Sequence, residues 1–212
     1  MREKNMLKLK MEREVEKKYD VPLEFDDEGF LYALRDCVVA AGYEIDKPEV
    51  LSRRFTYYDT PSLSLYHADG TLRRVEGFDP ARHKGKFRYD LKVGPLHDRI
   101  EGNYWTNELQ DVNSLFREER QGLGISGDVE EVAVATMLNY QGDIRKGSLV
   151  AEYTLDYVAV LGAGSFKELE LELKEGNERD LQDLGGIVQA HFDLNELTEQ
   201  KYSRILRVLG KA

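Results

Sequence analysis

The sequence predicts an α+β fold dominated by an antiparallel sheet, and two observations support this prediction. Short segments with the apolar and polar alternation of β-strands follow one another as far as Lys174. Beyond that residue the spacing becomes helical over residues 179–192 and 197–209, which predicts a C-terminal helical hairpin. A chain of 212 residues fits one domain, so we expect the sheet with its inserted helices in residues 1–175 and the last helices in 176–212.

The individual elements follow from the same periodicities. An amphipathic helix is expected over residues 27–42, where Asp26 or Asp27 can cap the first turn and Gly42 lies near the end. Further helical segments are expected over residues 61–67, 112–123 and 129–140. Strands are expected over residues 7–19, 52–59, 71–75, 87–93, 99–109, 144–150, 151–160 and 166–174. The glycines between the last two strands predict an antiparallel hairpin.

Composition excludes several classes of protein. Lys and Arg number 30 against 40 Asp and Glu, and the net charge of −10 repels nucleic acid and anionic membranes unless the basic residues are concentrated in one place. No apolar run could span a bilayer, and the charged N-terminus lacks the apolar core of a secretory signal. The single cysteine, Cys37, falls in a helical pattern and cannot form an internal disulfide. We therefore expect a cytoplasmic protein.

Two of the expected strands carry an acidic row on one face. The rows are Glu12, Glu14 and Glu16 with Lys18 in the first strand, and Glu168, Glu170 and Glu172 with Lys174 in the last. Neighbouring carboxylates repel, so such rows need either water to screen them or cations to neutralise them. Mg²⁺ and Mn²⁺ prefer carboxylate oxygens, so converging rows could hold a metal ion. The alternative is a sheet with its charged side in water, and both interpretations stay open.

Basic residues also recur on strand-like segments and at the start of the last helical segment. They are Arg73, Arg74, Lys92, Arg99, Arg145 and Lys201. A polyphosphate needs several cationic donors, and arginine can bind phosphate oxygens through two parallel hydrogen bonds. Ordinary surface ion pairing is the alternative for any one of them. If the acidic and basic strand faces turned inward in a barrel, they would form a polar tunnel whose apolar outer faces are covered by helices.

Several short motifs occur in order along most of the chain. Glu14-x-Glu16-x-Lys18 comes first, followed by YYDTP at 57–61 and TLRR at 71–74. The later members are Asp90-Leu91-Lys92, Arg99-x-Glu101, Arg145, Asp156, Glu168-x-Glu170-x-Glu172 and Lys201-Tyr202. In this combination the chain resembles the CYTH superfamily, also called the triphosphate tunnel metalloenzymes, which share the ExExK and YYDTP motifs.

The resemblance implies an antiparallel eight-stranded β tunnel barrel with covering helices. It implies that the metal ligands, for Mg²⁺ or Mn²⁺, are Glu14, Glu16, Glu168, Glu170 and Glu172. It implies that the substrate-binding residues are Lys18, Arg73, Arg74, Lys92, Arg145 and Lys201. Glu14, Glu16 and Lys18 are the expected catalytic residues. Members often read LRxR at the second motif strand, whereas here Arg73-Arg74 is followed by Val75 at an inward position that is usually basic, and Arg54 is the expected substitute.

The predicted function is metal-dependent hydrolysis of a triphosphate, either inorganic tripolyphosphate or an organic triphosphate. One cysteine and four histidines of unrelated spacing offer no other evident nucleophile or zinc site. Two alternatives stay open: a CYTH-type adenylyl cyclase that converts ATP to cyclic AMP and pyrophosphate, and a non-catalytic module that binds polyphosphate or nucleotide. The expected partner is a small molecule that contains a triphosphate, with no nucleic acid and no membrane, and a homodimer is one option for the assembly.

Overall fold

The computed structural model describes residues 12–78, 83–95 and 99–212, so residues 7–11 of the first expected strand lie outside the described residues. The strands are β1 Glu12–Glu14, β2 Glu16–Val21, β3 Glu44–Ile45, β4 Glu49–Asp59, β5 Gly70–Glu76, β6 Phe87–Val93, β7 Arg99–Thr106, β8 Glu130–Lys146, β9 Leu149–Val160, β10 Ser165–Glu175 and β11 Asn195–Glu196. The helices are α1 Asp27–Ala40, α2 Ser64–His67, α3 Arg117–Gly122, α4 Glu178–Phe192 and α5 Lys201–Val208. The α+β class is confirmed.

The strands form an antiparallel tunnel barrel that the N-terminal strand closes. The hydrogen-bonded order runs β1-β7-β6-β5-β4-β8-β9-β10-β2-β11, and β3 adds to β8. Only Val15 separates β1, at one end of this order, from β2, which pairs with β10 near the other end, and the carbonyl of Val15 accepts a hydrogen bond from Leu173 N. Counted as one strand, β1 and β2 join seven others, which gives the eight expected strands. The two-residue strands β3 and β11 are additions to this barrel.

The outer face of the barrel is apolar and lies under helices. Outward residues of β2, β9 and β10, such as Tyr19, Leu155 and Leu171, pack with buried residues of α1 and α4 in one core cluster. Asp26 caps α1 by accepting a hydrogen bond from Gly29 N at 2.7 Å, and Cys37 is buried in that helix with a free thiol. The expectation of charged faces inside and leucine faces under helices is therefore confirmed.

The helix α5 covers one end of the barrel. Its residues Tyr202, Ile205 and Leu206 pack with Tyr57 and Val158 in a second core cluster, and the rings of Tyr57 and Tyr202 stack with centroids 5.3 Å apart. The two C-terminal helices are thus present, but β11 stands between them. The helix α4 packs on the outward residues of β2, β9 and β10, whereas α5 packs into one end of the barrel, so the two helices cover different parts of it.

The helix expected over residues 129–140 is wrong, because these residues belong to the 17-residue strand β8. Burial along β8 has a period of two at Ala133, Ala135, Met137 and Asn139, whereas the apolar residues on both faces imitate helical spacing in the sequence. The strand expected over 144–150 is likewise wrong as a separate element, because it spans the end of β8, the turn at Gly147 and the start of β9.

The helix expected over residues 112–123 is shorter in the structure. It begins only at Arg117, because Phe116 adopts a left-handed conformation with a φ of 53° and Ser114 N closes a turn onto Asp111 O. None of the helices in the described ranges has the length and apolar character needed to cross a membrane.

Asp59, the acidic residue of the YYDTP motif, ties β4 to α2 and α5. Its buried carboxylate accepts hydrogen bonds from the backbone N–H groups of Thr60, Leu65 and Tyr66 at 2.7 to 3.0 Å. It also accepts one from the hydroxyl of Tyr202 at 3.0 Å. The motif therefore has a structural role that joins the barrel wall to the helix covering its end.

Asp59→Ala should lower the free energy of unfolding by about 3 kcal/mol or more, because it leaves four donors without their acceptor and each lost bond to a charged group costs roughly 1.5–3 kcal/mol. Tyr202→Phe is the matched control: it removes one of the four bonds, keeps the ring stacking, and should cost about 1.5 kcal/mol or less. Urea denaturation measures both values. Equal, small losses in the two variants would contradict this role of Asp59.

Candidate functional site

A cavity of about 360 Å³ runs along the inside of the barrel, and charged side chains dominate its lining. Its cationic residues are Lys18, Arg53, Arg73, Arg88, Lys92, Arg99, Lys174 and Lys201. Its carboxylates are Glu14, Glu101, Glu152, Asp156, Glu170 and Glu172. These eight cations and six carboxylates, with Glu16, Asp90 and Glu168 buried just behind them and paired with the same cations, form a densely charged interior in a chain whose net charge is −10. The basic residues are therefore concentrated where a small anion could reach them.

Cations on the neighbouring strands β6 and β7 pair with the first acidic row. Glu14 pairs with Lys92 Nζ at 2.8 Å and with Arg99 Nε at 2.7 Å. Burial opposes ionisation of Glu14, but the charges of Lys92 and Arg99 outweigh it and hold the pKa of this carboxyl well below its usual range. Glu16, almost fully buried, contacts Arg99 at 2.6 Å and Lys18 at 3.3 Å, and its burial raises its pKa despite these cations.

The second acidic row meets Asp156 and the first residue of α5. The Nζ atom of Lys201 forms an ion pair with Asp156 and lies 3.0 Å from oxygens of both Glu168 and Glu170. Burial raises the pKa of Glu168 to about 7, although Lys201 acts in the opposite direction. Burial is also the largest influence on Glu170, but Lys18 and Lys201 outweigh it and hold its pKa well below the usual range.

The wall formed by β4, β5 and β6 is rich in arginine. Asp90, fully buried, pairs with Arg73 Nε at 2.8 Å and with Arg88 Nε at 2.7 Å. Burial opposes ionisation of Asp90, but these two guanidinium groups outweigh it and lower its pKa. Arg53 enters the same cavity from β4, with its guanidinium 4.9 Å from the ring centroid of Phe78. Asp90 thus pairs with Arg73 and Arg88, two of the three arginines that converge on this wall, and not with Arg53.

Most of the expected site residues share this interior face. Glu14, Lys18, Arg73, Lys92, Glu170, Glu172 and Lys201 line the cavity, while Glu16 and Glu168 are buried beside it. Glu172 pairs with Lys174 at 2.7 Å, near the end of β10. The two rows are neighbours, because Glu16 and Glu172 are cross-strand partners in the pairing of β2 with β10.

Three expected positions need correction. Arg74 points to the outer face of β5, where it binds Glu76 at 2.7 Å and the hydroxyl of Tyr58 at 2.8 Å, because strand alternation sends it opposite to Arg73. Arg145 lies near the end of β8, 39% exposed, and pairs with Asp46 and Asp143. Arg54 is exposed on β4, whereas its neighbour Arg53 lines the cavity.

Val75 itself lies at the expected inward position but is fully buried in the apolar cluster with Phe55 and Phe78. The sequence pattern indicated Arg99 only as one of several basic residues on strands, and it assigned no site role to Asp156, Arg53 or Arg88. Asp156 and Arg99 belong to the ordered motifs, so that signal was present. Arg53 lies four residues before Tyr57 and Arg88 four residues before Lys92, so each shares a strand face with a residue of the motifs. Only this alternation along the strands could have identified them from the sequence.

The Asp156, Glu168 and Glu170 side chains offer a donor set that fits a hard divalent cation. Each contributes one oxygen, and these three oxygens lie within 4.8 Å of one another. Oε1 of Glu168 is buried and lies 3.0 Å from the ammonium of Lys201, without the alignment of a hydrogen bond. The ammonium of Lys201 contacts all three carboxylates, so the cluster already binds a compact cation. Mg²⁺ or Mn²⁺ is therefore compatible with these residues.

Comparisons with known proteins give structural neighbours. No protein-family model matches the chain, and no curated protein matches its sequence. A proposed adenylate cyclase from Bacillus halodurans matches with a TM-score of 0.61 and 18% identity, over 92% of this chain and 97% of that chain. A protein from Pyrococcus horikoshii matches with a TM-score of 0.58 and 18% identity, over 92% and 98%. HpAC1 from Hippeastrum, a proposed adenylyl cyclase described as having a dominant triphosphatase activity, matches with a TM-score of 0.56 and 16% identity, over 94% and 97%.

The chain folds into an antiparallel barrel with a charged interior and with helices on its outside. Solved structures share this architecture over nearly their whole length and over more than nine tenths of this chain. The chain therefore shares the fold of these solved structures, and this fold agrees with the barrel that the ordered motifs predict.

Mg²⁺ or Mn²⁺ should raise the melting temperature of the wild-type protein, because an ion bound only by the folded state stabilises that state. At about 100 times its Kd such an ion adds roughly 2.7 kcal/mol. Glu168→Gln should remove most of the shift, because a neutral amide replaces a charged ligand oxygen, and it should also lower the metal-free melting temperature, because Glu168 pairs with the buried guanidinium of Arg204 at 3.1 Å. Calorimetric melting over a metal titration measures both effects.

Glu101→Gln is the matched control for this experiment. Glu101 also lines the cavity, but it pairs with Lys92 at 3.0 Å and lies outside the cluster of three carboxylates. We expect this variant to keep the metal-dependent shift. A shift that survives Glu168→Gln would mean that the ion binds elsewhere.

Proposed function

We propose that this protein hydrolyses a triphosphate inside the tunnel with the help of Mg²⁺ or Mn²⁺. The observation that carries the proposal is the convergence of eight cationic side chains and a three-carboxylate cluster on one cavity. A triphosphate carries several negative charges along a short chain, so it needs cations distributed along a groove. The cluster supplies, at one place in that groove, the oxygen ligands that a divalent ion requires.

In this proposal the basic residues bind and orient the phosphates. Arg73 and Lys92 hold one side of the chain, and Lys18 and Lys201 hold the other, near the carboxylate cluster. Phosphoryl transfer depends mainly on positioning and charge neutralisation, because the transferred phosphoryl group is only loosely bonded in the transition state. These four residues are already fixed by ion pairs to carboxylates, so little reorganisation is needed when phosphate oxygens replace some of those contacts.

Asp156, Glu168 and Glu170 are the proposed metal ligands, and Glu14, Glu16 and Glu172 orient the cations around them. A bound divalent ion supplies charge neutralisation at the phosphate oxygens and makes water more acidic. Because α5 covers one end of the barrel, the substrate enters from the opposite mouth, and Tyr202 and Ile205 keep bulk water away from the covered end. The proposal includes a cytoplasmic location and a small-molecule partner, as expected from the composition.

The direct test is product analysis with tripolyphosphate, ATP, GTP and thiamine triphosphate in the presence of Mg²⁺ or Mn²⁺. We expect release of orthophosphate, loss of activity in EDTA and recovery when metal is restored. Release of pyrophosphate together with cyclic AMP from ATP would instead identify a cyclase. Tight binding of a triphosphate without any product would identify a non-catalytic module, and full turnover without metal would contradict the metal-dependent proposal.

Arg73→Gln should lower kcat/KM by about 100-fold or more, because the inward guanidinium is expected to bind phosphate in a water-poor site. Arg74→Gln is the matched control: the adjacent arginine faces outward and pairs with Glu76, so its loss should change kcat/KM by less than about threefold. Steady-state kinetics on the best substrate measure both variants. Equal effects would contradict the inward assignment of Arg73.

A further inference from the structure

Arg53 differs from the other cations of the tunnel because it has no acidic partner among the residues that the structure describes. The remaining seven cationic residues of the lining each form an ion pair with a carboxylate. Arg53 forms no hydrogen bond or ion pair within the described ranges, and its guanidinium rests on the ring of Phe78 at 4.9 Å. A partly buried cation without a counter-charge is costly unless an anion binds to it.

The charges that act most strongly on Arg53 are cationic. Its own burial, followed by the positive charges of Arg88 and Arg73, lowers the pKa of Arg53. Those two arginines already share Asp90, so three guanidinium groups converge with one carboxylate among them. Asp156 and Glu152 act on Arg53 in the opposite direction but more weakly. This part of the wall therefore has an excess of positive charge that an incoming anion would neutralise.

We propose that Arg53, seated on Phe78 beside Arg88, binds the substrate phosphate nearest the open mouth of the tunnel. It thereby supplies the cation that is missing at Val75, whose cross-strand partners are Phe55 on β4 and Arg88 on β6. The inference rests on the proposed function, because it assigns a specificity-determining residue for the same triphosphate.

The position of Arg53 indicates which phosphate it meets. Arg53 precedes Tyr57 by four residues on β4, so it lies roughly 13 Å further from α5 along the strand. Because α5 covers the other end, an organic group attached to a triphosphate must leave through the mouth beside Arg53. The phosphate that carries the organic group is then the one at Arg53.

This placement favours a substrate whose outer phosphate is unsubstituted. An unsubstituted terminal phosphate can carry two negative charges, whereas an esterified inner phosphate carries one, so Arg53 and Arg88 gain more from the former. The aromatic rings at this mouth already have neighbours on their faces: Phe78 contacts Arg53 and Arg88, and Trp105 stacks on His83 with centroids 5.8 Å apart. We therefore expect inorganic tripolyphosphate to be preferred over nucleoside triphosphates.

The test compares Arg53→Gln, Arg53→Lys and Arg54→Gln in the full-length protein. Calorimetry in EDTA measures the binding of tripolyphosphate and of ATP, and kinetics with Mg²⁺ measure KM and kcat for each. Arg53→Gln should weaken tripolyphosphate binding by about 10- to 100-fold and ATP binding by about threefold. Arg53→Lys should be intermediate because it keeps the charge and loses the two-pronged geometry. Arg54→Gln, which alters the exposed neighbour, should bind like wild type.

A second measurement distinguishes phosphate binding from a structural role. Because the strongest charge influences on Arg53 are the cations Arg88 and Arg73, Arg53→Gln should leave the melting temperature of the ligand-free protein unchanged or raise it, whereas loss of a structural contact would lower it. If the wild-type protein binds and hydrolyses a triphosphate but the Arg53→Gln and Arg54→Gln variants behave equally, this inference alone would be overturned. Equal losses for tripolyphosphate and ATP would overturn the substrate preference. A wild-type protein that neither binds nor hydrolyses any triphosphate would overturn the proposed function itself.

Discussion

The structure depends on the neutralisation of charges that face the inside of a closed barrel. A row of carboxylates on one strand is unfavourable by itself, and two adjacent rows would open the seam between β2 and β10 if nothing opposed them. Arg99 on β7 and Lys92 on β6 hold Glu14 from the other side of the N-terminal strand, and Lys18 bridges the two rows. The same ion pairs that stabilise closure therefore fix the geometry of the candidate site.

Lys201 shows how closely fold and site are linked. This residue begins α5, whose apolar face packs into the end of the barrel, and its ammonium reaches three carboxylates on β9 and β10. Asp59 fastens the same helix to the opposite wall through the hydroxyl of Tyr202. A helix that covers the tunnel end is thus also the element that carries a cation into the acidic cluster, so its packing sets the position of that cation.

Much of this arrangement could be predicted from the sequence, because alternation along a strand is a strong local signal. Glu168, Glu170 and Glu172 reveal their shared face without any knowledge of partners. The helix predicted over 129–140 was wrong because β8 carries apolar residues on its half-buried face as well as on its buried face, so its sequence lacks the alternation that its burial has. Arg74 and Arg54 were expected in the site for a different reason. Each lies next to an arginine that faces inward, and only the pairing of Tyr57 with Arg73 decides which of the two neighbours faces the tunnel. Arg53 and Arg88 were missed because their importance depends on Asp90 and Phe78, which lie on other parts of the barrel.

The closure of the barrel through Val15 has a consequence for how the chain folds. The N-terminal strand pairs with residues 99–101 on one side and with residues 167–172 on the other, so its contacts span up to about 150 positions of sequence. Hairpins such as β9 and β10 can form from neighbouring segments, whereas a strand with such distant partners has to wait for both to be ordered, since long loops are entropically costly to close. Because Glu14, Glu16 and Lys18 lie on this strand, we expect the charged interior to be completed only when this topologically non-local strand pairs, and a polyanion bound there would slow the reopening of the barrel.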